Sequence, residues 1–587
     1  MPHLAISAST PALRRRLALV SLALLLALLM LPNLIWLAYS HTLTTWIAAL
    51  VLPAVLLTTL FVLLGRWLWL APLLLAPFAL LAPLEAFYVA TYHTPSSAQV
   101  IAIALVTNAQ EVRSYLGALL PFAIAAPLLG LVLALLASWW SFRARLQWQG
   151  RAHQRIGAVA MVIAIPLVAL SISSTIIKPH PPTVADSTPP DPARLNFVRP
   201  GYPFGVIMRF HHYASEWNAM RADARALANF KFHARRIDPQ PRQRQVYVLV
   251  IGESSARDHW QLFGYRRPTN PELSKLTNLV PIRRMVTSWP ETIAAVPVML
   301  TRKPITSNQP GWKEPSFLAA MEEAGYETWW ISNQYPIGIT DSPVAMYAYE
   351  AQHVVWLNHT SSVNESGAYD GDLVPALRKA LQSSDRDMFI VLHMMGSHDD
   401  YDDRYPPGFR RFTPTFSDEH GHVIHEINVR NSYDNSILYT DHVLAQVIDV
   451  LKQGGLAAAL WYESDHGEVL PSGTCRKIGH GIGTWHEFEI PALFWYSGAY
   501  ATDFPERVST LRANADKRTL TGDTFESLID MAGVTFPGHD PSRSLFSPEW
   551  HYRPRIVGQF WYTNFDNAVA EGGCGILKPA PAPPSSG

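Results

Sequence analysis

Two hydrophobic rhythms divide this chain. Up to about residue 178 the apolar residues run on almost without interruption, and five stretches reach the roughly 20 residues needed to cross a bilayer. They are Leu17–Tyr39, Thr44–Leu64, Trp67–Ala90, Leu116–Trp140 and Ile156–Ile177. Arg14–Arg16 before the first stretch give it the look of a signal peptide, but it is long for one and four more spans follow. It therefore reads as a membrane anchor. Beyond residue 178 the apolar runs shorten to strand length and alternate with helical patterns. Val246–Ile251, Glu327–Ser332, Met388–His393, Leu460–Tyr462 and Ile490–Tyr496 read as strands. Ile293–Leu300, Glu314–Ala324, Asp372–Gln382, Asn428–Asp449 and Thr524–Ala532 read as helices, and Pro268–Leu273 as a turn into another. Buried strands alternating with helices predict a doubly wound α/β domain.

The segments between these patterns complete the layout. Lys178–Pro203 is rich in Pro, Ser and Asp and reads as an extended connector. Phe204–Phe232 mixes Phe, Trp and Met with His211, His212, Glu216, Arg221 and Arg225. It predicts one or two amphipathic helices, either on the membrane surface or packed on the soluble domain, with both histidines as interfacial polar residues. The tail after Gly572 is Pro-rich and reads as disordered. The expected domains are a membrane domain over 1–178, a linker and interfacial segment over 179–240, a catalytic domain over 241–572 and a tail over 573–587.

Charge fixes the orientation. Basic residues stand before span one (Arg14–Arg16), between spans two and three (Arg66) and between spans four and five (Arg143, Arg145, Arg151, Arg155). With five spans all three clusters fall on one side, which the positive-inside rule makes cytoplasmic. Everything after Ile177 then lies on the opposite face, the periplasm of a bacterium. Overall, 47 basic residues balance 47 acidic ones, so there is no bulk attraction for nucleic acid. Two cysteines, Cys475 and Cys574, are too few for a disulfide framework or a thiolate zinc site. In an exported domain they are free to pair, and sequence leaves that open.

The candidate chemistry sits where strands end. Ligands of open α/β sheets collect at the carboxyl edge. The first strand empties into Gly252-Glu253-Ser254-Ser255, a carboxylate followed by hydroxyls, although such an exit is also an ordinary turn. Leu460–Tyr462 hands over to Glu463-Ser464-Asp465-His466-Gly467-Glu468, in which Asp465 and His466 are hard and borderline metal donors brought together by a glycine. Thr292 opens a helix, where the macrodipole favours an ionised hydroxyl and a bound anion, or where it simply caps. His398 follows Gly396 on a loop, and His480 stands between Gly479 and Gly481, which suits close approach to a small ligand. In the outward loop Thr91–Tyr115, Asn108 and Glu111 stand one helical step apart. They suit either a polar loop or a lip holding a lipid ammonium group.

As an ordered set these residues resemble the membrane-bound phosphoethanolamine transferases of the alkaline phosphatase and sulfatase superfamily. The resemblance rests on Gly252-Glu253-Ser254, Gly264-Tyr265, Thr269-Asn270-Pro271, Thr292 before Val296-Pro297, Gly396-Ser397-His398, Tyr433-Asp434-Asn435 and Ser464-Asp465-His466-Gly467-Glu468. It covers nearly the whole chain. The resemblance implies an inner-membrane enzyme with zinc, one ion or two, held by Glu253, Thr292, Asp465 and His466. It also implies Thr292 as nucleophile, His398 and His480 on the phosphoryl group or a second zinc, and Asn108 and Glu111 near the donor headgroup. The RDHWQLFGY form of the first motif looks closer to the branch that modifies the lipopolysaccharide core than to the colistin-resistance branch. The latter carries several disulfides. Asn333–Asp341 has no lysine where a headgroup contact is expected.

The implied reaction moves phosphoethanolamine from phosphatidylethanolamine through Thr292 to a cell-envelope glycan, lipopolysaccharide core or lipid A. Zinc coordination makes a weak alcohol nucleophilic near neutral pH. A phosphoglycerol transferase using phosphatidylglycerol shares such a site, though Glu111 beside Asn108 suits an ammonium better. A sulfatase needs a modified Cys or Ser where this chain has Thr. A metal-free membrane sensor with a degenerate domain would not need the intact set of ligands.

Overall fold

A computed structural model describes residues 10–40, 42–92, 95–96, 101, 119–176, 201–211, 214, 227, 229–237, 243–307, 312–334, 343–358, 368–419, 425–559 and 561–580. Asn108, Glu111 and the connector 178–200 lie outside them. The chain divides into a membrane unit that extends to Ser215 and a second unit from Glu216 onward.

The membrane unit has the five expected apolar helices: α1 (Pro11–Tyr39), α2 (Leu43–Leu63), α3 (Leu70–Tyr92), α4 (Leu120–Arg143) and α5 (Arg151–Ile176). The first, third and fourth pack on one another, and α2 packs on α5. Small residues permit this: a Cβ added to Gly130 would stand 2.1 Å from the Ala79 carbonyl oxygen, the close helix contact typical of membrane bundles.

After the connector, one of the two expected placements is taken up. Residues 204–211 are helical, and they group with the membrane unit rather than the soluble domain. Asn33 of α1 exchanges two hydrogen bonds with the Tyr202 backbone, at 2.8 and 2.9 Å, and the Tyr202 hydroxyl donates to the Phe78 carbonyl. Arg209, almost wholly buried, donates through Nη1 to Glu85 Oε1 of α3 at 2.8 Å and to Ser96. The physical reason is pairing: a buried arginine is tolerated where a carboxylate meets it, and Glu85 stands 124 residues away in sequence.

The second unit is built on a seven-stranded sheet. Its strands are β1 (Gln245–Gly252), β2 (Leu279–Pro281), β3 (Glu327–Ser332), β4 (His353–Trp356), β5 (Met388–His393), β6 (Ala457–Ser464) and β7 (Ala492–Tyr496), in spatial order β2-β7-β6-β1-β5-β3-β4. The five strands from β6 to β4 run parallel, while β7 and β2 are antiparallel to their neighbours. Every residue of β1 is buried, with Tyr247, Leu249 and Ile251 facing one core and Val246, Val248 and Val250 the other. That two-sided burial explains the unbroken apolar run. Helices α6 (Thr292–Leu300), α7 (Phe317–Glu323), α8 (Leu373–Gln382), α9 (Glu426–Gln453) and α10 (Thr524–Met531) complete the frame. Pro268–Leu273 leads only into a 3₁₀ turn, Leu273–Lys275.

The tail departs from expectation. Val569–Glu571 (β8) pairs antiparallel with Ile576–Lys578 (β9), and Cys574 between them forms a disulfide with Cys475. Order therefore continues past residue 573, because a covalent link and a hairpin outweigh a composition rich in Pro and Gly.

Candidate active site

The carboxyl ends of β1, β5 and β6 lie side by side, since Ile251 is level with His393 and Gly252 with Ser464. Three loops leave this edge and are laced together. The backbone N–H of Asp465 donates to the Gly252 carbonyl at 3.1 Å, that of Ser397 to the Glu253 carbonyl at 2.9 Å, and that of Ser255 to Ser464 Oγ at 2.9 Å. Gly396 has a φ of 53°, and a Cβ there would sit 2.6 Å from the Glu253 carbonyl oxygen, so both conformation and space demand glycine. Asp370 accepts the Met395 and Gly396 N–H groups, each at 2.8 Å, and fixes the β5 exit from the other side.

Four of the expected residues meet here. Thr292 Oγ1, in the first turn of α6, lies 3.1 Å from His466 Nε2 and 3.3 Å from Glu253 Oε2. His466 Nε2 is 3.4 Å from Glu253 Oε1 and 3.5 Å from Asp465 Oδ2. Glu253, Asp465 and His466 are all buried. Each is already oriented by its surroundings. The Ser254 hydroxyl donates to Glu253 Oε1 at 2.7 Å, and Gln334 Nε2 donates to Glu253 Oε2 at 3.3 Å while holding the Met394 carbonyl at 2.9 Å. Asp465 Oδ1 accepts the N–H groups of Ser254 and His466, at 3.1 and 2.7 Å, leaving buried Oδ2 with no hydrogen-bond partner among the described residues. His466 Nδ1 sits 2.8 Å from the Gly467 carbonyl oxygen, which makes it the protonated nitrogen and leaves the Nε2 lone pair facing Thr292.

Those donors fit a divalent metal. Burial, then the neighbouring Asp465, pushes the Glu253 carboxyl well above its usual range. His466 is driven down to about 4 by burial and is therefore neutral. Among the described residues no lysine or arginine pairs with Glu253 or Asp465. Two buried carboxylates with one oxygen unpartnered, a neutral imidazole and an alcohol form the O/N donor set that zinc takes, and a cation removes their mutual repulsion.

His466 is shared with a second cluster, in which Glu468 and His480 place ligand atoms within 4.8 Å of one another and of His466. His480 Nδ1 is 3.1 Å from Glu468 Oε2, and Tyr401 donates to Glu468 Oε1 at 2.7 Å. The His466 and His480 rings are 4.3 Å apart, and the His398 ring is 6.2 Å from His480. Burial, then Arg404, holds the His398 imidazole well below its usual value. Thus Glu253, Thr292, Asp465 and His466 converge at one point, with His480 and His398 beside it. Gln334 and Glu468 are neighbours of this cluster that strand-end reasoning did not single out. Glu468 had a signal, two residues past His466. Gln334, one residue beyond the β3 exit at Asn333, had none.

A seven-stranded sheet carrying a threonine, two carboxylates and an imidazole at its carboxyl edge defines a sulfatase-type domain. The Sulfatase family model matches residues 245–534, and a second model, phosphoethanolamine transferase EptA/EptB, matches residues 53–178. The chain thus joins a phosphoethanolamine transferase EptA/EptB membrane domain to a sulfatase-family domain, the arrangement of a membrane-bound phosphoethanolamine transferase. It is 27% identical over 496 residues to phosphoethanolamine transferase EptC of Escherichia coli K12, covering 81% of this chain and 82% of that protein. To EptA of the same organism it is 28% identical over 301 residues, 50% of this chain and 54% of the relative. The zinc complex of the periplasmic domain of E. coli EptC superposes with a TM-score of 0.51 at 27% identity, covering 57% of this chain and 95% of that domain. The membrane-embedded lipooligosaccharide phosphoethanolamine transferase A of Neisseria meningitidis shares the whole fold, with a TM-score of 0.64 at 18% identity over 90% of this chain and 97% of that one. The protein is thus an inner-membrane enzyme with a periplasmic catalytic domain.

Proposed function

We propose that this protein transfers phosphoethanolamine from phosphatidylethanolamine to a lipopolysaccharide glycan, core or lipid A, through a covalent intermediate on Thr292. The observation that carries the reading is the position of Thr292 Oγ1, at a helix start and within 3.3 Å of both Glu253 and His466. The name of the EptC relative supports the group transferred. Zinc held by Glu253, Thr292, Asp465 and His466 would lower the pKa of the threonine hydroxyl and offset charge on the phosphoryl oxygens.

The residues then divide the work. Thr292 Oγ1 attacks phosphorus in line, the new O–P bond forms as the bond to the diacylglycerol oxygen breaks, and the threonine proton passes in net to that oxygen. Gln334 and Ser254 hold the Glu253 carboxylate in place, so it does not swing as charge develops. His480, oriented by Glu468, contacts the phosphoryl group together with His398. A glycan hydroxyl or phosphate displaces the group from Thr292 in the second half-reaction. Asn108 and Glu111 are proposed for the donor ammonium.

The test is the mass of the Thr292 peptide after incubating the zinc-loaded full-length protein with phosphatidylethanolamine and no acceptor. A phosphoethanolamine adduct on Thr292, absent in Thr292→Ala, is expected. An adduct from phosphatidylglycerol instead would replace this reading with phosphoglycerol transfer, and full transfer by Thr292→Ala would refute the covalent route.

A further inference from the structure

We infer that the C-terminal segment from Val557 to Leu577 is a positioning element for the reaction, and that Gln559 within it is a positioning residue that acts through His480. The inference rests on the reading of His480 as a phosphoryl contact. His480 belongs to the loop between Val469 and Thr484, which pairs with itself only at Val469–Gly479 and Ser472–Cys475 among the described residues. Gly473, Gly479, Gly481 and Gly483 all adopt positive φ, at 57, 107, 76 and 85°. Glycines lose more freedom on ordering than any other residue, so every contact from outside adds to the order of such a loop.

The C-terminal segment supplies the hold at four points. Gln559 Nε2 donates to the Gly481 carbonyl at 2.7 Å, one residue from His480. The Leu577 N–H donates to the Gly483 carbonyl at 2.8 Å, beside a bridge between Thr484 and Ile576. Thr474 Oγ1 donates to the Gly573 carbonyl at 3.1 Å, and Cys475 is joined to Cys574. Val469, Cys475 and Ile482 pack with Cys574 and Ile576 into a small apolar cluster of their own. The held loop is coupled to the nucleophile, because the Gly481 N–H donates to the Pro290 carbonyl at 3.2 Å, two residues before Thr292. None of these contacts touches Glu253, Asp465 or His466, so the segment positions His480 and the turn before Thr292 without holding the other three proposed ligands.

The test uses full-length protein in nanodiscs with lipopolysaccharide as acceptor and phosphatidylethanolamine bearing a fluorescent acyl chain, whose release as diacylglycerol over many turnovers gives kcat and KM. Gln559→Ala is expected to lower kcat about 10-fold with little change in KM and unchanged zinc content, since small misplacements of a catalytic group cost rate rather than binding. Placed in His480→Ala it should add less than about 2-fold, because residues acting through one another are not additive. Cys475→Ser with Cys574→Ser should show the same sign and the same dependence on His480. Independent, multiplying effects of Gln559→Ala and His480→Ala in an active enzyme would overturn the inference alone, as would wild-type kcat in Gln559→Ala. Wild-type protein that releases no diacylglycerol, or His480→Ala that matches it, would refute the reading of the site and the inference together.

Discussion

Replacing Tyr433 with Phe removes one oxygen that bridges two main-chain groups beside the proposed metal ligands. The hydroxyl accepts the Ala256 N–H and donates to the Ser254 carbonyl, both at 2.7 Å, and all three residues are buried. Ser254 is one of the few non-glycine residues with a positive φ, 52°, a conformation that costs about 1–3 kcal/mol and persists only where neighbours enforce it. Each buried group left unpaired costs about 1–3 kcal/mol. With partial relaxation, the pair together should destabilise the catalytic domain by about 2–4 kcal/mol, or roughly 4–8 °C in Tm at about 2 °C per kcal/mol. The strained turn also holds Ser254 Oγ on Glu253 and Ser254 N–H on Asp465. Loosening it should weaken zinc binding about 10- to 100-fold, the usual effect of losing a group that orients a ligand. The assay is zinc competition against a chelating dye, with thermal melting of the same preparation. A Tm loss of this size with zinc affinity within about 2-fold of wild type would refute the claim that the bridge shapes the site. An unchanged Tm would refute the desolvation argument itself.

Two further expectations concern pH and the membrane unit. Asp441 accepts the Glu272 and Leu273 N–H groups at 2.9 and 3.0 Å, and burial raises its carboxyl from 3.8 to about 7. Between those values the folded chain keeps a proton that the unfolded chain sheds, so stability falls as pH rises, by up to about 1.4 kcal/mol per unit. The Tm of wild type should therefore drop relative to Asp441→Asn from pH 5 to 7, and parallel curves would refute the assignment. Arg209→Met should leave Glu85 buried without its cation, at a cost of about 3–5 kcal/mol. Most of that should return in Arg209→Met with Glu85→Gln, measured as the Tm of the solubilised protein, and no recovery would show that packing rather than charge is at stake.

Much of this architecture is legible in residue patterns because burial on both faces leaves a simple trace. Val246–Ile251 and Met388–Leu392 are apolar throughout, and both lie in interior parallel strands. The same signal is blind to direction: Ile490–Tyr496 reads like its neighbours, yet Ala492–Tyr496 runs antiparallel. Glu253, Asp465 and His466 could be picked out because charged residues directly after buried strands have few structural uses. The support around them could not be, because what Gln334 or Tyr433 does depends on orientation across elements far apart in sequence. The Arg209–Glu85 pair is likewise illegible, since its partners stand 124 residues apart.

The hydrogen bond from Ser254 to Asp465 joins positions 211 residues apart, and this span bears on how the enzyme matures. No fragment emerging from the export machinery holds a complete ligand set until β1 and β6 have paired. Pairing so distant in sequence forms late, after slow closure of a long loop. Zinc uptake in the periplasm would then follow the closing of the central sheet rather than nucleate it, so metal occupancy would report that folding has finished.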